Sequence, residues 1–237
     1  MTQAMVLVGG AGSRLRPRVR NLPKALAPVA ERPFLTHLFD MLIDQGVEEV
    51  VLATGRLAHL IEGEYGASYR SLSIRYSQET EPLGTGGAVK HALPLMAREP
   101  FLLLNGDSIA PFDLARMLYL QGREDAGLVL TVCRQADVAR FGAVLTDGPN
   151  VLELTEKGRA GPGLINCGVY LVAEGCAARL LSMGERFSFE QDVMTPWVRQ
   201  HSAPFVESPG PFIDIGVPED YDRAGAVLAE LMTNMSR

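Results

Sequence analysis

The sequence is poor in the features that mark a secreted, membrane-spanning or nucleic-acid-binding protein. It holds three cysteines, Cys133, Cys167 and Cys176, an odd number set far apart in apolar surroundings. That pattern excludes a disulfide framework and lacks the paired spacing of a zinc site, so reduced, mostly buried thiols are expected. The four histidines, His37, His59, His91 and His201, show no ligand spacing and are read as structural. No apolar run reaches the roughly 18 residues of a membrane span, and no basic stretch leads into a signal-peptide core. Positive charge is in deficit as well, with 22 Lys and Arg against 28 Asp and Glu and a net charge of −6. Such a balance argues against broad contact with nucleic acid. No repeat, low-complexity tract or linker breaks the chain. A soluble, cytoplasmic protein with neither nucleic acid nor membrane as partner is the expectation.

What is present is a chain of 237 residues, 47% hydrophobic and 21% charged, long enough for one large domain with a sizeable core. Apolar runs and helical spacing alternate through the first half. Strands are predicted over 4–8, 48–55, 72–77 and 100–107, and helices over 33–46, 57–66 and 86–97. This alternation predicts an α/β fold with a mixed, mainly parallel sheet and helices on both faces. The second half reads as strands over 126–134, 141–146, 151–156 and 164–172, with a turn at "TDGPN". Helices return over 174–182, 189–200 and 218–233.

Within this acidic chain one segment is strongly basic. "MVLVGGAGSRLRPRVRNLPKA" carries Arg14, Arg16, Arg18, Arg20 and Lys24 with no acid among them. It directly follows the first strand, and parallel sheets bind ligands at the carboxyl ends of their strands. Glycines let backbone N–H groups approach an anion closely, and the cations add full charge. A nucleoside triphosphate suits such a loop. The segment is not a P-loop, which needs Gly-Lys-Ser/Thr at fixed spacing. Nor is it a dinucleotide fingerprint, because Leu15 stands where the third glycine would be. A bare structural turn is the plain alternative.

"GGAGSRLRP" followed by "LPKALAPV" resembles the signature of the sugar-1-phosphate nucleotidyltransferases. Five further segments resemble the same family in the same order: "EPLGTGGAV", "LNGDS", "EKG", "INCGVY" and "FIDIGVPEDY". The resemblance implies a single-domain, Rossmann-like (GT-A-like) fold without a C-terminal β-helix. It also implies a nucleotide-binding half over 1–110 and a sugar-phosphate-binding half over 111–237. "KALAPVAERPFL", "FSFEQDVM" and "FIDIGVPEDY" bring the chain nearest to members that join GTP to a heptose 1-phosphate for bacterial surface polysaccharides. Mannose 1-phosphate guanylyl transfer and N-acetylmuramate 1-phosphate uridylyl transfer stay open. So does a catalytically silent subunit that binds nucleotide sugars, and a homo-oligomer is compatible with each.

By this resemblance the partners are a nucleoside triphosphate and a sugar 1-phosphate, and the cofactor is Mg²⁺. Arg14 would hold the triphosphate tail and Lys24 would bridge the two reacting phosphates; Arg16, Arg18 and Arg20 carry no firm role. Val8, Gly9, Gly10, Ala11, Gly12, Ser13, Gly84, Thr85, Asn105 and Gly106 fall to the nucleotide. Asp107 and Asp214 fall to the metal, a hard cation that prefers carboxylate oxygen; a turn cap is the alternative for Asp107. Gly142, Glu156, Lys157, Asn166 and Gly168 fall to the sugar phosphate, although adjacent Glu156 and Lys157 could equally form a surface ion couple. Glu79 occupies the base-reading position. An ionised carboxylate only accepts, and guanine offers it two neighbouring donors. Gln78 and backbone groups near Leu83 are the competing readers.

Overall fold

One strand shows how the layers form. In β1 (Gln3–Leu7), Ala4 and Val6 face one core while Met5 faces another, all three fully buried. The computed structural model describes residues 2–10, 15, 18–19, 22–97 and 99–235. Beside β1, nine more strands complete a ten-stranded sheet: β2 (Glu49–Thr54), β3 (Ser68–Tyr69), β4 (Leu72–Gln78), β5 (Phe101–Asn105), β6 (Leu128–Gln135), β7 (Val144–Asp147), β8 (Asn150–Leu154), β9 (Gly163–Val172) and β10 (Phe205–Glu207). The strand order is β8-β7-β9-β5-β1-β2-β4-β3, with β6 also paired to β9 and β10 to β6. Strands β5, β1, β2 and β4 run parallel, as do β6 and β10, whereas β9 is antiparallel to its neighbours. This is the mixed α/β sheet predicted from the sequence.

Helices cover both faces. On the Ala4 and Val6 side lie α1 (Phe34–Asp44), α2 (Ala58–Tyr65), α4 (Leu114–Glu124) and α7 (Pro218–Met235). On the Met5 side lie α3 (Gly84–Ala92), α5 (Glu174–Ser182) and α6 (Thr195–Gln200). Helix α1 shows the cause: Phe34, Leu35, Leu38, Phe39 and Leu42 recur at helical spacing and are fully buried. Each such side chain stabilises by roughly 1.5–3 kcal/mol on leaving water. The three cysteines are buried free thiols. Among the described residues no helix is long and apolar enough to cross a membrane.

Besides the short strands β3 and β10, neither of them expected, four details depart from the sequence reading. Helix α4 was not anticipated, although Asp113 caps it by accepting from the Arg116 N–H at 2.8 Å and Leu114, Met117 and Leu120 form its buried stripe. The helix expected over 86–97 starts earlier, at Gly84, and ends at Ala92, where a 3₁₀ turn (Leu93–Leu95) containing Pro94 takes over. The helix expected over 189–200 is split: Phe189–Met194 is a π-turn and only Thr195–Gln200 is α-helical. Pro196 has no N–H to continue the usual ladder, which favours this break. Finally, Ser108–Ile109 and Ile213–Asp214 form a short antiparallel ladder that joins distant parts of the chain.

Candidate active site

The parallel strands β1, β2, β4 and β5 end side by side, and their carboxyl ends open into a cavity of about 1600 Å³. A pocket for one small ligand is typically about 300–1,000 Å³, so this volume suits two substrates together. Val8, Gly9, Gly10, Glu79, Gly84, Thr85, Asn105 and Gly106, all expected to bind nucleotide, line it, with Lys24 and Asp107. Ala11, Gly12, Ser13 and Arg14 lie outside the described residues, as do Arg16 and Arg20. Arg18 is described and pairs with Asp222 of α7 at 2.6 Å.

Lys24 opens a 3₁₀ turn (Lys24–Leu26) whose apolar residues, Ala25 and Leu26, are buried. Its Nζ donates to Asp107 Oδ2 at 2.7 Å, with the lysine side chain 17% exposed and the aspartate 42%. Asp107 follows β5 directly, and the short ladder sets Asp214 opposite Ser108, its chain neighbour. The Ile215 N–H completes the link by donating to the Asp107 carbonyl at 2.9 Å. Burial pushes the Asp214 carboxyl above its ordinary pKa, and the charge of Asp107 pushes the same way, while Lys24 and the Gly216 N–H act against them. Two carboxylates from distant segments are therefore brought within range of each other's charge, and Lys24, bonded to Asp107, acts on both.

That donor set fits Mg²⁺, which takes one or two carboxylates and fills its shell with water and substrate phosphate. Among the described residues no group of three His, Cys, Asp or Glu gathers at one point, so a metal held wholly by side chains is not provided for. Behind Asp214, Asp220 of α7 is buried and holds both Arg140 and Arg223. Arg140 belongs to the turn that Gly142 closes by donating to the Val138 carbonyl at 3.0 Å. The Gly142 turn is thereby anchored to the same helix that follows Asp214.

The base loop is held from the far side of the chain. Gly86 and Gly87 donate to the Phe187 carbonyl at 3.0 and 3.3 Å, and Phe187 N–H donates back to Leu83. A Cβ at Gly86 would lie 2.3 Å from the Phe187 ring, so a side chain there is excluded. The Thr85 hydroxyl accepts from the Phe189 N–H at 2.9 Å and can still donate its own hydrogen. Glu79 accepts from the Leu83 N–H through Oε2 at 3.1 Å, which leaves Oε1 beside Gly9.

On the sugar side, Gly168 has φ +74°, and a Cβ there would lie 2.5 Å from the Asn105 amide nitrogen. Only glycine lets these strands bring Asn105 and β9 so close. Asn166 is satisfied within the chain: Nδ2 donates to the Tyr170 hydroxyl at 2.6 Å and Oδ1 accepts from the Gly168 N–H at 3.0 Å. Glu156 and Lys157 are exposed, and Lys157 is near enough to Glu190 to act on its charge.

Sequence reasoning missed Arg56 and Glu190, both on the cavity wall. Arg56 had a signal, since it follows the second parallel strand and its glycine, Gly55. Glu190 had none beyond its place in "FSFEQDVM", because the π-turn that carries it is set by tertiary contacts. Its carboxylate is open to the cavity yet walled by protein. That setting raises its pKa, an effect that Lys157 opposes.

Glycine backbone at the end of β1, a lysine paired with an aspartate and a large cavity at the carboxyl ends of parallel strands are features of a nucleotide-handling α/β protein. The sequence profile of the nucleotidyl transferase family matches residues 3–230, and the chain belongs to that family. It is 40% identical over 222 residues, 94% of its length and 96% of the relative's, to D-glycero-alpha-D-manno-heptose 1-phosphate guanylyltransferase of Aneurinibacillus thermoaerophilus. The enzyme of the same name from Campylobacter jejuni is 34% identical, with 92% of this chain and 96% of that one covered. Among solved structures it is similar to HddC from Yersinia pseudotuberculosis complexed with GMP-PN. There the TM-score is 0.82, the identity 30%, and the coverage 95% of this chain and 99% of that one.

Proposed function

We propose that the protein transfers GMP from GTP to D-glycero-α-D-manno-heptose 1-phosphate, giving GDP-heptose and pyrophosphate. The observation that carries this reading is the 40% identity across nearly the whole of both chains. The cavity is consistent with it, being large enough for both substrates and lined by glycine backbone, Lys24 and Arg56.

In this reading the triphosphate lies against the backbone after β1, and the base lies toward Glu79 and the loop before α3. An oxygen of the sugar phosphate attacks the α-phosphorus, and pyrophosphate leaves. Because two anions meet, alignment and charge neutralisation carry the catalysis and no protein nucleophile is needed. Lys24, on the cavity wall beside Asp107, would neutralise charge between the two phosphates, a role its position supports. Asp107 and Asp214 would hold Mg²⁺, which when bound supplies further neutralisation of the phosphate oxygens. Asn166 and Gly168 would shape the sugar side, with Lys157 and Glu156 at its rim.

The test is a pyrophosphate-release screen of GTP, ATP, UTP and CTP against a panel of sugar 1-phosphates, with and without Mg²⁺. GTP with heptose 1-phosphate and Mg²⁺ is expected to give the highest kcat/KM. A preference for another base or sugar would replace the proposed substrates. Silence with every pair, alongside tight binding of a nucleotide sugar, would replace catalysis with a binding role.

A further inference from the structure

Glu190 is an acid on the wall of a cavity that has to receive phosphates. It lies within range of the Lys157 and Asp107 charges, and among the described residues no cation forms an ion pair with it. Its carboxylate meets neutral groups instead: the buried Tyr170 hydroxyl at 3.5 Å and the Asn105 side chain. Tyr170 in turn takes the hydrogen bond from Asn166, so Glu190, Tyr170, Asn166 and Gly168 form one connected polar edge. The backbone beneath Glu190 is firmly held. Its carbonyl accepts from the Thr195 hydroxyl at 2.9 Å, and the preceding Phe189 N–H is bonded to Thr85.

We propose that Glu190 is a specificity residue that accepts hydrogen bonds from hydroxyls of the sugar. This inference rests on the proposed function. An ionised carboxylate repels a phosphate and accepts only, so among the parts of the two substrates it suits a polyhydroxylated ring. The ring would lie between Glu190 and the Lys157 side, with its phosphate turned toward Lys24 and the aspartates. Because Glu190 is one residue from Phe189, its place is fixed by the same segment that supports the base loop. Discrimination follows from the loss suffered when an acceptor on the cavity wall is left facing a sugar that lacks the matching hydroxyl.

The experiment compares wild type with Glu190→Gln and Glu190→Asp. It uses whichever sugar 1-phosphate of the screen wild type turns over best, with inorganic phosphate as a competing inhibitor. The glutamine variant keeps the volume but turns an acceptor oxygen into a donor, and the aspartate variant keeps the charge but withdraws it. Either is expected to raise KM for the sugar 1-phosphate about 10- to 100-fold, as losing a charged hydrogen bond does. KM for GTP and inhibition by inorganic phosphate should stay within about twofold, because neither offers the sugar ring. Unchanged sugar KM in a folded variant would overturn the inference while leaving the proposed function intact. A rise confined to GTP would also overturn it and assign the acid to the ribose. Parallel weakening of inorganic phosphate would overturn it in favour of a role in shaping the phosphate site. Silence of wild type with every sugar would remove the proposed function and this inference together.

Discussion

Replacing Lys24 with alanine separates chemistry from folding, because the structure sets two different magnitudes for the same side chain. In the folded protein the ammonium bonds Asp107 at 2.7 Å, with the aspartate 42% exposed. An ion pair open to water on one side contributes only about 1 kcal/mol after screening. In a chain of this size that is a fall in Tm of roughly 2–4 °C. During transfer the same ammonium would lie between two phosphates in a cavity that limits water, where a preorganised charge contact is worth about 10²–10³ in rate. The expected outcome is a kcat/KM lower by that factor in the pyrophosphate-release assay and a melting curve displaced by a few degrees. Lys24→Met keeps the apolar stem and should fail in the same way. A variant that melts a few degrees low yet turns over like wild type would refute the catalytic role. So would a loss of activity no greater than the fraction unfolded at the assay temperature.

Glu79→Gln should cost about 1–3 kcal/mol in GTP use and less with other triphosphates. The amide oxygen can keep the Leu83 N–H while its NH₂ meets a guanine donor, and equal losses across four nucleotides would remove Glu79 from the base site. Asp40 tests stability apart from the site. Burial alone would raise its pKa, but bonds from Arg32, Arg70 and Tyr69 outweigh burial and hold it below the usual carboxylate range. The contribution is therefore present above the unfolded pKa of about 3.9 and is lost as pH falls through the lower folded value. Asp40→Asn should lower stability by about 1 kcal/mol at pH 7 in urea unfolding, with the gap to wild type closing toward pH 2. A gap that persists or widens in acid would contradict this account.

Eight of the ten strands were legible because they are runs rich in apolar residues that need no distant information, whereas the short β3 and β10 were not, and α1 was legible from its helical spacing. The place of Gly9, Gly10, Asn105 and Gly106 on the cavity wall was legible for a related reason, since they stand at or just past strand ends and locating the strands locates them. Helix α4 was legible in principle through Asp113 and its 114-117-120 stripe, but "DLARMLYLQGRED" carries many polar residues and was passed over. The pairing of Asp107 with Asp214 depends on a two-residue ladder across the chain, too short for any periodic signal. It was reached through family resemblance, not spacing. Asn166 was assigned to the sugar phosphate through resemblance, and its bond to Tyr170, four residues on, was not legible because it depends on the strand irregularity at Gly168.

The acidic composition and the basic first loop are reconciled by where the acids stand. Asp107 and Asp214 carry charge that repels phosphate unless a cation lies between, and Lys24 already provides part of that cation. Glu79 and Glu190 lie on the same cavity wall, where acceptors suit N–H and O–H groups rather than phosphate oxygens. In the proposed function an anionic substrate would be oriented by exclusion as well as by attraction. Its phosphates would be driven toward Lys24 and the backbone after β1, while its neutral, hydrogen-donating ends would be accepted by carboxylates. Acids gathered at and beside one cavity cost stability through repulsion, as where the charge of Asp107 acts on Glu190 and on Asp214, and a protein binding only phosphate would gain from replacing them. Their presence beside the glycine backbone after β1 fits the proposed site, which would discriminate a base at one end and a sugar at the other.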